Sequence, residues 1–421
     1  MKILLINTTA HTGGASIACE RLMQALIAQG HEVKLLVRDD TRIANKFRFV
    51  WERLMLLRDI PYNRVFSIDD GRCGMDLTAT PEYKWADVVH LHWINQAMLS
   101  VEGIGRLLRR CKQDGKPVVW TMHDIWPATG VCHLPGECTN WQHGCGKCLQ
   151  LRHPALDDIS ARTFRRKNAA YAEGEIRFVA CSRYLAETAM KSPLLKQHSV
   201  TNIANPLDTD FFSPVSANGA SAASDGNERQ RLGLPQNKRL VLFVAYNVND
   251  ENKGFRFVQK AVSRLLMRDT QLKDKIAIVP VGKNATQWID KFACEVCPKE
   301  YVSDRETMRD LYRACDVLVI SSQMENLPNT IVEAKACGVP VVAPAVGGIP
   351  QMIRHEVDGY LAAPYSTLDQ GTAMKDSLAE GLHYVLTHPD YTSLSAAARE
   401  DAVATYSEAA VVKRYEELYH L

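Results

Sequence analysis

Residues 321–348 place two carboxylates around the junction between a predicted strand and a predicted helix. Glu325 lies in the loop after the strand, and Glu333 lies in the first turns of the helix, which begins near Asn329. A carboxylate at such a position can accept hydrogen bonds from two neighbouring hydroxyls, as on a ribose. The N–H groups of residues 326–330 lack partners within the helix and can bind a diphosphate. An acidic residue there can also do no more than complement the helix dipole.

A lysine follows another predicted strand in the same half of the chain. Lys253 and Gly254 stand between that strand and the helix after it. An ammonium group at this position can neutralise a diphosphate as charge develops on it, and the glycine lets the backbone come close. A lysine on a surface loop is usually only solvated, so this pair supports a phosphate site without establishing it.

The amino-terminal half carries glycines and histidines at similar junctions. Gly13 and Gly14 open the first predicted helix, where they permit close approach of a ligand to the backbone. His123 ends a predicted strand, and catalytic side chains collect at the carboxyl ends of parallel strands. His90 and His92 end the preceding strand and are expected at the same edge. A lone histidine is more often structural, which is the alternative for His123.

Four of the twelve cysteines are clustered within seventeen residues: Cys132, Cys138, Cys145 and Cys148. Four thiolates in such a loop can form a closed tetrahedral zinc site with a structural role. The first pair is spaced more widely than in a zinc finger, and the alternative is four reduced thiols packed as small hydrophobic groups. Cys294 and Cys297 form a separate Cys-x-x-Cys pair, which we interpret as structural.

Strands and helices alternate along the chain and must position these residues. Apolar runs predict strands at residues 2–7, 32–38, 88–92, 118–123 and 177–181, and then at residues 240–245, 276–281, 317–321 and 339–343. Amphipathic helices are predicted between them, at residues 15–29, 101–112, 183–190, 255–267, 305–314 and 330–337. Repeated strand–helix–strand units predict parallel sheets with helices on both faces, and ligands at the carboxyl ends of the strands.

The alternation is interrupted at residues 216–227, which are rich in Ser, Ala, Gly and Asn and predict a flexible surface segment. We therefore expect two doubly wound α/β domains, residues 1–205 and 206–401, with a cleft between them. A last helix, residues 402–421, is expected to return to the first domain.

Composition and charge exclude several classes of protein. The 421 residues include 50 basic and 48 acidic side chains, a net charge of +2 that gives no support for nucleic-acid binding. No apolar stretch approaches the roughly 18 residues that a membrane span requires. The apolar run after Met1 is too short for a signal peptide. These features predict a cytoplasmic protein.

Residues 46–58 read KFRFVWERLMLLR and mix basic with large apolar side chains at helical spacing. Such a helix can lie on an anionic membrane surface, which would suit a lipid-linked substrate at the inner face of the membrane. An ordinary amphipathic helix packed on the first domain is the slightly favoured alternative.

The segment around Glu325 and Glu333 resembles the signature of the family 4 retaining glycosyltransferases. The resemblance rests on these two glutamates eight positions apart, a Cys-Gly step, the run Val-Pro-Val-Val-Ala and a Gly-Gly turn. It implies the GT-B fold of two Rossmann-like domains and sugar transfer from a nucleotide diphosphate sugar. The His-Asp-x-Trp-Pro motif followed by the four clustered cysteines resembles a subgroup from bacterial capsule and exopolysaccharide pathways. That subgroup implies a glycan or polyprenyl-diphosphate-linked acceptor.

The resemblance also implies roles for single residues. Glu325 would contact the donor sugar, Glu333 the ribose and His123 the sugar from the first domain, while Lys253 would belong to the pyrophosphate site. The backbone between the two glutamates would hold the sugar and phosphates through Asn326, Leu327, Pro328 and Asn329. Gly13 and Gly14 match the family's glycine loop, which faces the donor phosphates and the acceptor.

The family often has an arginine a few residues before this lysine, but residues 245–252 contain none. Asn247 or Asn249 is expected to take part of that role. Residues 281–284, which include Gly282, resemble the family's loop beneath the donor. The base of the donor nucleotide is expected near Val302. The resemblance implies front-side attack with retention of configuration and no catalytic divalent metal.

Three other classes of protein compete with this interpretation. A GT-B nucleotide-sugar epimerase would share the fold but carry a different carboxylate arrangement. A non-catalytic nucleotide-sugar-binding protein would share the donor site, and the presence of Glu325, Glu333 and Lys253 argues against it. A dehydrogenase is disfavoured because Gly13 and Gly14 lack the full dinucleotide glycine spacing.

Overall fold

The computed structural model describes residues 1–11, 13–38, 43–62, 67–215 and 228–420. The segment predicted to be flexible, residues 216–227, lies outside these ranges. The chain divides into two compact units. The N-terminal unit comprises Met1–Pro206 and Glu408–Leu421, and the C-terminal unit comprises Leu207–Ser407.

The N-terminal unit is built on a six-stranded parallel sheet. Its strands are β1 Lys2–Ile6, β2 Glu32–Leu36, β3 Val88–Leu91, β4 Val118–Met122, β5 Arg177–Ala180 and β6 Ser199–Asn202. They lie in the order β2-β1-β3-β4-β5-β6, and every neighbouring pair is parallel. The middle strands are buried along their whole length, which explains their continuous apolar runs.

Helices connect these strands and cover the sheet. They are α1 Gly14–Ala28, α2 Ile43–Leu56, α3 Pro81–Trp85, α4 Val101–Asp114, α5 Ile159–Tyr171 and α6 Arg183–Ala189. Helix α4 shows how the local sequence sets its own limits. The Ser100 hydroxyl accepts a hydrogen bond from the N–H of Gly103 at its start, and Gly115 ends it in the left-handed conformation with φ 66°.

The C-terminal unit repeats this architecture. Its sheet has the order β12-β11-β10-β7-β8-β9, again entirely parallel. The strands are β7 Arg239–Asn247, β8 Ile276–Lys283, β9 Glu295–Val296, β10 Val317–Val319, β11 Val341–Pro344 and β12 Gly359–Ala362. The helices are α7 Glu228–Arg231, α8 Phe255–Arg268, α9 Arg305–Ala314, α10 Asn329–Ala336, α11 Thr372–Leu386 and α12 Tyr391–Tyr406. Two doubly wound α/β units are thus confirmed as the fold.

The end of the chain differs from the single helix predicted over residues 402–421. Helix α12 ends at Tyr406, and a separate helix, α13 Glu408–His420, follows it. Ser407 separates the two because its backbone is extended, with ψ 148°, and it forms a bridge with Leu207. Helix α13 packs against α1 and contributes Val411 and Tyr415 to the core of the N-terminal unit.

Gly282 illustrates how closely the strands of the C-terminal unit approach each other. Its φ is +141°, and a Cβ atom built on it would lie 1.9 Å from the carbonyl oxygen of Ala245 in β7. The glycine is therefore required for the pairing of β7 with β8, whatever ligand lies near it.

We predict that Gly282→Ala lowers the free energy of unfolding by about 3 kcal/mol, because the new methyl group forces β7 and β8 apart. Gly14→Ala is the matched control, since no atom lies within 4 Å of its would-be Cβ. That variant should differ from the wild type by no more than about 0.5 kcal/mol. Urea denaturation measures both values, and equal midpoints for the two variants would contradict the prediction.

Candidate functional site

Two loops at the carboxyl ends of the adjacent strands β7 and β10 are joined by hydrogen bonds. The Asn252 side chain donates to the carbonyl of Met324 at 3.1 Å and accepts from the Met324 N–H at 3.1 Å. The Ser321 hydroxyl donates to the carbonyls of Lys253 and Gly254, at 2.8 and 2.9 Å. These contacts hold the predicted phosphate loop against the loop that carries the first glutamate.

Lys253 and Glu325 form an ion pair across these loops. Lys253 Nζ donates to Glu325 Oε1 at 2.5 Å, and the side chains are 36% and 13% exposed. The sequence analysis singled out both residues but did not predict that they touch. The pair leaves the ammonium group partly open to solvent, where an anionic ligand can compete for it.

The Gly-Gly turn of the motif supports Glu325 from the other side. The N–H of Gly348 donates to the carbonyl of Glu325 at 3.2 Å. Gly347 has φ +54°, and a Cβ built on it would lie 1.7 Å from that same oxygen. The turn therefore needs glycine so that its backbone can pack directly on the loop that presents Glu325.

Glu333 lies in the second turn of α10 and is 9% exposed. The Tyr312 hydroxyl donates to its Oε2 at 2.8 Å and so orients the carboxylate. Helix α10 starts after Pro328, and no side chain caps its first N–H groups. The helix start is therefore available to an anion, with Asn326, Leu327, Pro328 and Asn329 around it.

Asn249 lies in the loop between β7 and α8, but its amide group is engaged within the protein. Its Nδ2 donates to Gln287 at 2.8 Å, and its Oδ1 accepts from Trp288 Nε1 at 2.9 Å. The Asn247 side chain accepts from Asn284 at 2.9 Å. The structure thus shows both asparagines bracing the loop, and a phosphate role for either remains a prediction.

An exposed aromatic pair lies near the ends of β7 and β8 and was missed by the sequence analysis. Tyr246 and Tyr301 are 63% and 49% exposed, with ring centroids 5.2 Å apart. Lys283 donates to the Tyr246 hydroxyl at 2.6 Å. Val302, the predicted neighbour of the base, directly follows Tyr301 and is half-buried. The available signal was Tyr246, directly after the predicted strand at residues 240–245, but nothing in the sequence indicates that it meets Tyr301.

Three histidines stack at the carboxyl ends of β3 and β4 in the N-terminal unit. The rings of His90 and His92 are 4.5 Å apart, and those of His92 and His123 are 5.3 Å apart. His92 Nδ1 and His123 Nε2 share a hydrogen bond of 3.0 Å. His90 is bonded to Tyr419 and Thr121, both at 2.8 Å, so it is a structural residue of the core.

Burial keeps these imidazoles neutral. It lowers the pKa of His123 to about 4 and that of His90 to about 3, and it lowers the pKa of His92 well below the ordinary value. His123 nevertheless retains partial exposure, whereas His92 is only 2% exposed. At neutral pH, His123 can therefore exchange hydrogen bonds with a ligand but carries no charge.

Asp124, the neighbour of His123, is held by two aromatic side chains. Its Oδ2 accepts from His133 Nδ1 at 2.8 Å and from Trp93 Nε1 at 3.0 Å. Burial raises the pKa of Asp124, but the charge and hydrogen bond of His133 and the bonds from Trp126 and Trp93 outweigh it and leave the pKa lowered. The sequence analysis did not assign His133, which comes from the cysteine-rich loop.

Gly13 and Gly14 lie where the sequence predicts them, at the start of α1. Gly13 has φ 92°, and both glycines are exposed, with no atom within 4 Å of a would-be Cβ. No side chain caps the helix, and its first turn contains no acidic residue. The start of α1 can therefore receive an anionic group.

The four clustered cysteines line a single small cavity of about 20 Å³ in the N-terminal unit. Burial raises the pKa of Cys132 to about 12 and that of Cys145 to about 11. Cys294 and Cys297 lie in the C-terminal unit, at and just after β9, and are half-buried.

A second cluster of potential metal ligands consists of Glu52, Asp69 and Asp70, whose oxygens lie within 4.8 Å of one another. Arg53 pairs with Glu52 at 2.8 Å and with Asp69 at 2.5 Å, and Arg72 pairs with Asp70 at 2.7 Å. Arginines thus already compensate these buried carboxylates.

The apolar face of α2 points to solvent. Ile43, Phe47, Val50, Trp51 and Leu54 are all exposed, and the rings of Phe47 and Trp51 stack 6.1 Å apart. The helix buries Asn45, Glu52, Arg53 and Leu56 instead. It therefore packs on the N-terminal unit largely through polar side chains, unlike an ordinary amphipathic helix. Among the described residues, no helix has the length and apolar character to cross a bilayer.

Two cavities of about 590 Å³ lie away from all of these groups. One lies at the amino ends of β4 and β5, beside Lys116 and Arg177, and the other lies beside α11. Because ligands of open α/β sheets bind at the carboxyl ends of the strands, cavity size does not identify the site in this protein.

Comparison with known protein families gives two matches. Residues 12–211 match the model of Glycosyltransferase Family 4, and residues 238–380 match the model of Glycosyl transferases group 1. The two matches lie on either side of residues 212–237 and cover both the histidine cluster and the Lys253–Glu325 pair.

Curated relatives and solved structures agree with the family models. A putative colanic acid biosynthesis glycosyl transferase, WcaC of Escherichia coli K12, is 26% identical over 263 residues, 61% of this chain and 59% of the relative. A D-inositol 3-phosphate glycosyltransferase of Xylanimonas cellulosilytica is 24% identical over 393 residues, 88% of this chain and 85% of the relative. The crystal structure of Anabaena HepE with UDP-glucose matches with a TM-score of 0.61 over 100% of both chains at 15% identity, which shows the fold.

The two parallel six-stranded units and the two family matches lead to one conclusion. This chain is a glycosyltransferase of the family 4 and group 1 type and has the GT-B fold.

Proposed function

We propose that this glycosyltransferase takes a sugar from a nucleoside diphosphate sugar bound by the C-terminal unit. The observation that carries the proposal is the Lys253–Glu325 ion pair, 2.5 Å long, beside the uncapped start of α10. A cation, a carboxylate and the N–H groups of a helix start without a side-chain cap match the diphosphate and the hydroxyls of such a donor. The UDP-glucose held by the Anabaena structural neighbour makes a uridine nucleotide the first to test.

The ion pair suggests how the site responds to its ligand. A diphosphate carries more negative charge than a carboxylate and can draw the Lys253 ammonium group away from Glu325. Glu325 is then free to accept hydrogen bonds from the sugar hydroxyls. Lys253 and the N–H groups at the start of α10 stabilise the charge that develops on the departing diphosphate.

Glu333 is assigned to the ribose. The hydrogen bond from Tyr312 fixes its carboxylate, so little side-chain entropy remains to be lost on binding. The exposed pair Tyr246 and Tyr301, followed by Val302, is assigned to the base, because aromatic rings stack on nucleobases. Gly282, a residue of β8, allows β7 and β8 to lie close together.

Neutral His123 is assigned to the sugar and the glycine turn of α1 to the phosphates and acceptor. We propose retention of configuration by front-side attack, in which the departing phosphate accepts the acceptor proton. This step rests on the family resemblance. In this mechanism, Lys253 and the N–H groups at the helix start stabilise the leaving group.

The acceptor is proposed to be a glycan or a lipid-linked glycan of a bacterial surface polysaccharide. The resemblance to capsule enzymes and the colanic acid relative support this assignment. The inositol phosphate relative offers a second candidate acceptor, a small soluble phosphorylated polyol. The exposed apolar face of α2 favours the lipid-linked acceptor, because a soluble polyol requires no membrane contact.

Donor binding is tested by differential scanning fluorimetry with UDP, GDP, ADP and their sugar conjugates. One nucleotide should raise the Tm of the wild type. Glu333→Gln should lower the affinity for that nucleotide about 10- to 100-fold, because hydrogen bonds to a charged group are lost. Glu380→Gln is the matched control, since this glutamate is 51% exposed on α11. The absence of a shift with every nucleotide at millimolar concentration would refute the donor site.

The reaction itself is tested by sugar transfer to lipid-linked and soluble acceptors, with the product anomer read by NMR. Lys253→Met should lower kcat/KM by about 100-fold or more, as expected when a group that stabilises developing charge is lost. Lys260→Met, an exposed lysine on α8, should leave kcat/KM unchanged. An inverted anomer would overturn the retaining mechanism. Donor binding without transfer to any acceptor would favour the non-catalytic alternative, and conversion of the donor to its epimer would favour the epimerase.

Membrane contact is tested by sedimentation with anionic vesicles. Replacing both Phe47 and Trp51 by aspartate removes two large apolar side chains from the exposed face of α2, each worth about 1.5–3 kcal/mol when buried. The wild type should sediment, and the double variant should partition at least about 10-fold less. Met267→Asp, which changes an 81% exposed side chain on α8, should sediment like the wild type. A wild type that stays in the supernatant would refute peripheral binding.

The neutral histidines predict a specific loss of stability in acid. Folding lowers the pKa of His123 from about 6.5 to about 4, so the folded state favours the neutral ring. The resulting stabilisation is complete above pH 6.5 and disappears as the pH falls to 4. His123→Gln should reduce this pH dependence of the free energy of unfolding by about 3 kcal/mol, whereas exposed His11→Gln should not. Identical pH profiles for His123→Gln and the wild type would contradict the assignment.

A further inference from the structure

We propose that Cys132, Cys138, Cys145 and Cys148 bind one zinc ion, which fixes the cysteine-rich loop to the histidine cluster. This inference is independent of which nucleotide, sugar or acceptor the enzyme uses.

The four thiols line a cavity of about 20 Å³, which has room for about one water molecule or one ion. Four cysteines that served only as small hydrophobic groups would be expected to close such a void, because protein interiors are densely packed. The cavity therefore indicates that the four thiols are arranged around a bound ion.

The backbone that presents the last two thiols adopts an unusual conformation. Gly144, Cys145, Gly146 and Lys147 all have positive φ, at 106°, 64°, 99° and 47°. Cys145 and Lys147 are not glycines, and each pays for this conformation with about 1 kcal/mol or more. The turn brings Cys145 and Cys148 to the same cavity. The N–H of Gly130 donates to Cys145 Sγ at 3.2 Å, the kind of bond that stabilises a metal-bound thiolate.

A buried lysine lies beside the cluster, and burial lowers the pKa of its ammonium group well below the ordinary value. Lys167 is fully buried, and its Nζ donates to the carbonyls of Trp126 and Thr129 at 2.6 and 3.0 Å. Among the described residues, no carboxylate lies within 4.0 Å of this ammonium group.

A buried lysine without a carboxylate is costly unless another negative charge is near. Zinc held by four thiolates has a net charge of about −2, which would supply that charge. The hydroxyl of Thr129 also donates to the carbonyl of Cys132 at 2.7 Å, so the residue that binds Lys167 is tied to the first ligand. Hydrogen bonds thus connect Lys167 to Thr129 and Thr129 to Cys132.

Zinc would draw the thiols together. Zn–S bonds of about 2.3 Å put tetrahedral sulfurs about 3.8 Å apart. No three of the four thiols lie within 4.8 Å of one another. Among the described residues, only ligand atoms of Glu52, Asp69 and Asp70 are that close. Binding therefore requires the thiols to close on the cavity.

The expected role of the metal is positional. His133 directly follows Cys132, and it donates to Asp124, the neighbour of His123, at 2.8 Å. Cys132 also forms a bridge with Ile68. Zinc at Cys132 would hold His133 in place and, through Asp124, orient the loop that carries His123.

The test is the metal content of the full-length protein by inductively coupled plasma mass spectrometry. We expect about one zinc per chain in the purified wild type. Cys145→Ser with Cys148→Ser should lose it, whereas Cys294→Ser with Cys297→Ser should keep it. The control removes a pair with the same spacing from the other unit. Zinc retained by the first double variant would overturn the assignment.

A second measurement avoids variants that fail to fold. Titration of the wild type with a mercurial, followed by a zinc-sensitive dye, should release zinc as the four thiols react. Cobalt-substituted protein should show the thiolate charge-transfer and intense d–d bands of tetrahedral coordination. A wild type that remains free of zinc after growth and refolding with added zinc would refute the site. Stoichiometric iron, visible by its colour, would refute zinc as the metal.

Discussion

The parallel pairing of β7 with β10 governs the chemistry of the C-terminal unit. Val241 and Leu242 align with Val317 and Leu318, so the two strands end at the same edge of the sheet. Lys253 and Glu325, 72 residues apart in the chain, meet there because each follows one of these strands. The Asn252 bridge joins these two loops, and Gly347 packs on the backbone of Glu325 from the loop after β11.

Buried charge is handled differently at the sites proposed to bind ligands and elsewhere in the fold. Lys335 is fully buried and meets Asp358 at 3.1 Å and Asp401 at 2.5 Å, so its charge is balanced within the protein. Arg53 is balanced in the same way by Glu52 and Asp69. Lys167 donates to the carbonyls of Trp126 and Thr129 and lies over the Trp126 ring, and no carboxylate pairs with it among the described residues, whereas Lys253 remains partly exposed. An unbalanced or open cation is the physical condition for binding an anion or an anionic metal centre.

The candidate site residues of the N-terminal unit are neutral histidines, whereas those of the C-terminal unit include the charged pair Lys253 and Glu325. Its three stacked imidazoles are kept uncharged by burial, and His90 is fixed in the core by Tyr419 of α13. Helix α13 thus contacts His90, whose ring stacks on His92, and His92 in turn stacks on His123. A neutral, hydrogen-bonding surface suits contact with sugar hydroxyls, whereas a charged one would bind water more tightly.

The fold class follows from the sequence alone, because apolar runs of strand length alternating with helical patterns admit few architectures other than parallel α/β sheets. It also indicated Glu325, Glu333, Lys253 and the four clustered cysteines, since these residue types at strand–helix junctions or at close spacing have limited chemical uses. The short edge strands β6, β9 and β12 were missed, because a few residues at the rim of a sheet show little hydrophobic pattern. The break at Ser407 was missed because it depends on a bridge to Leu207, 200 residues earlier in the chain.

Which of these groups touch depends on the folded arrangement of the loops. The Lys253–Glu325 pair, the Tyr246–Tyr301 pair and the bond from His133 to Asp124 each join different loops, and no spacing along the chain predicts such contacts. The same is true of the exposed side of α2, whose apolar residues predict burial by periodicity alone but face solvent in the fold. Local sequence sets the conformation of a segment, whereas the partners of a side chain depend on where the folded sheet brings the other loops.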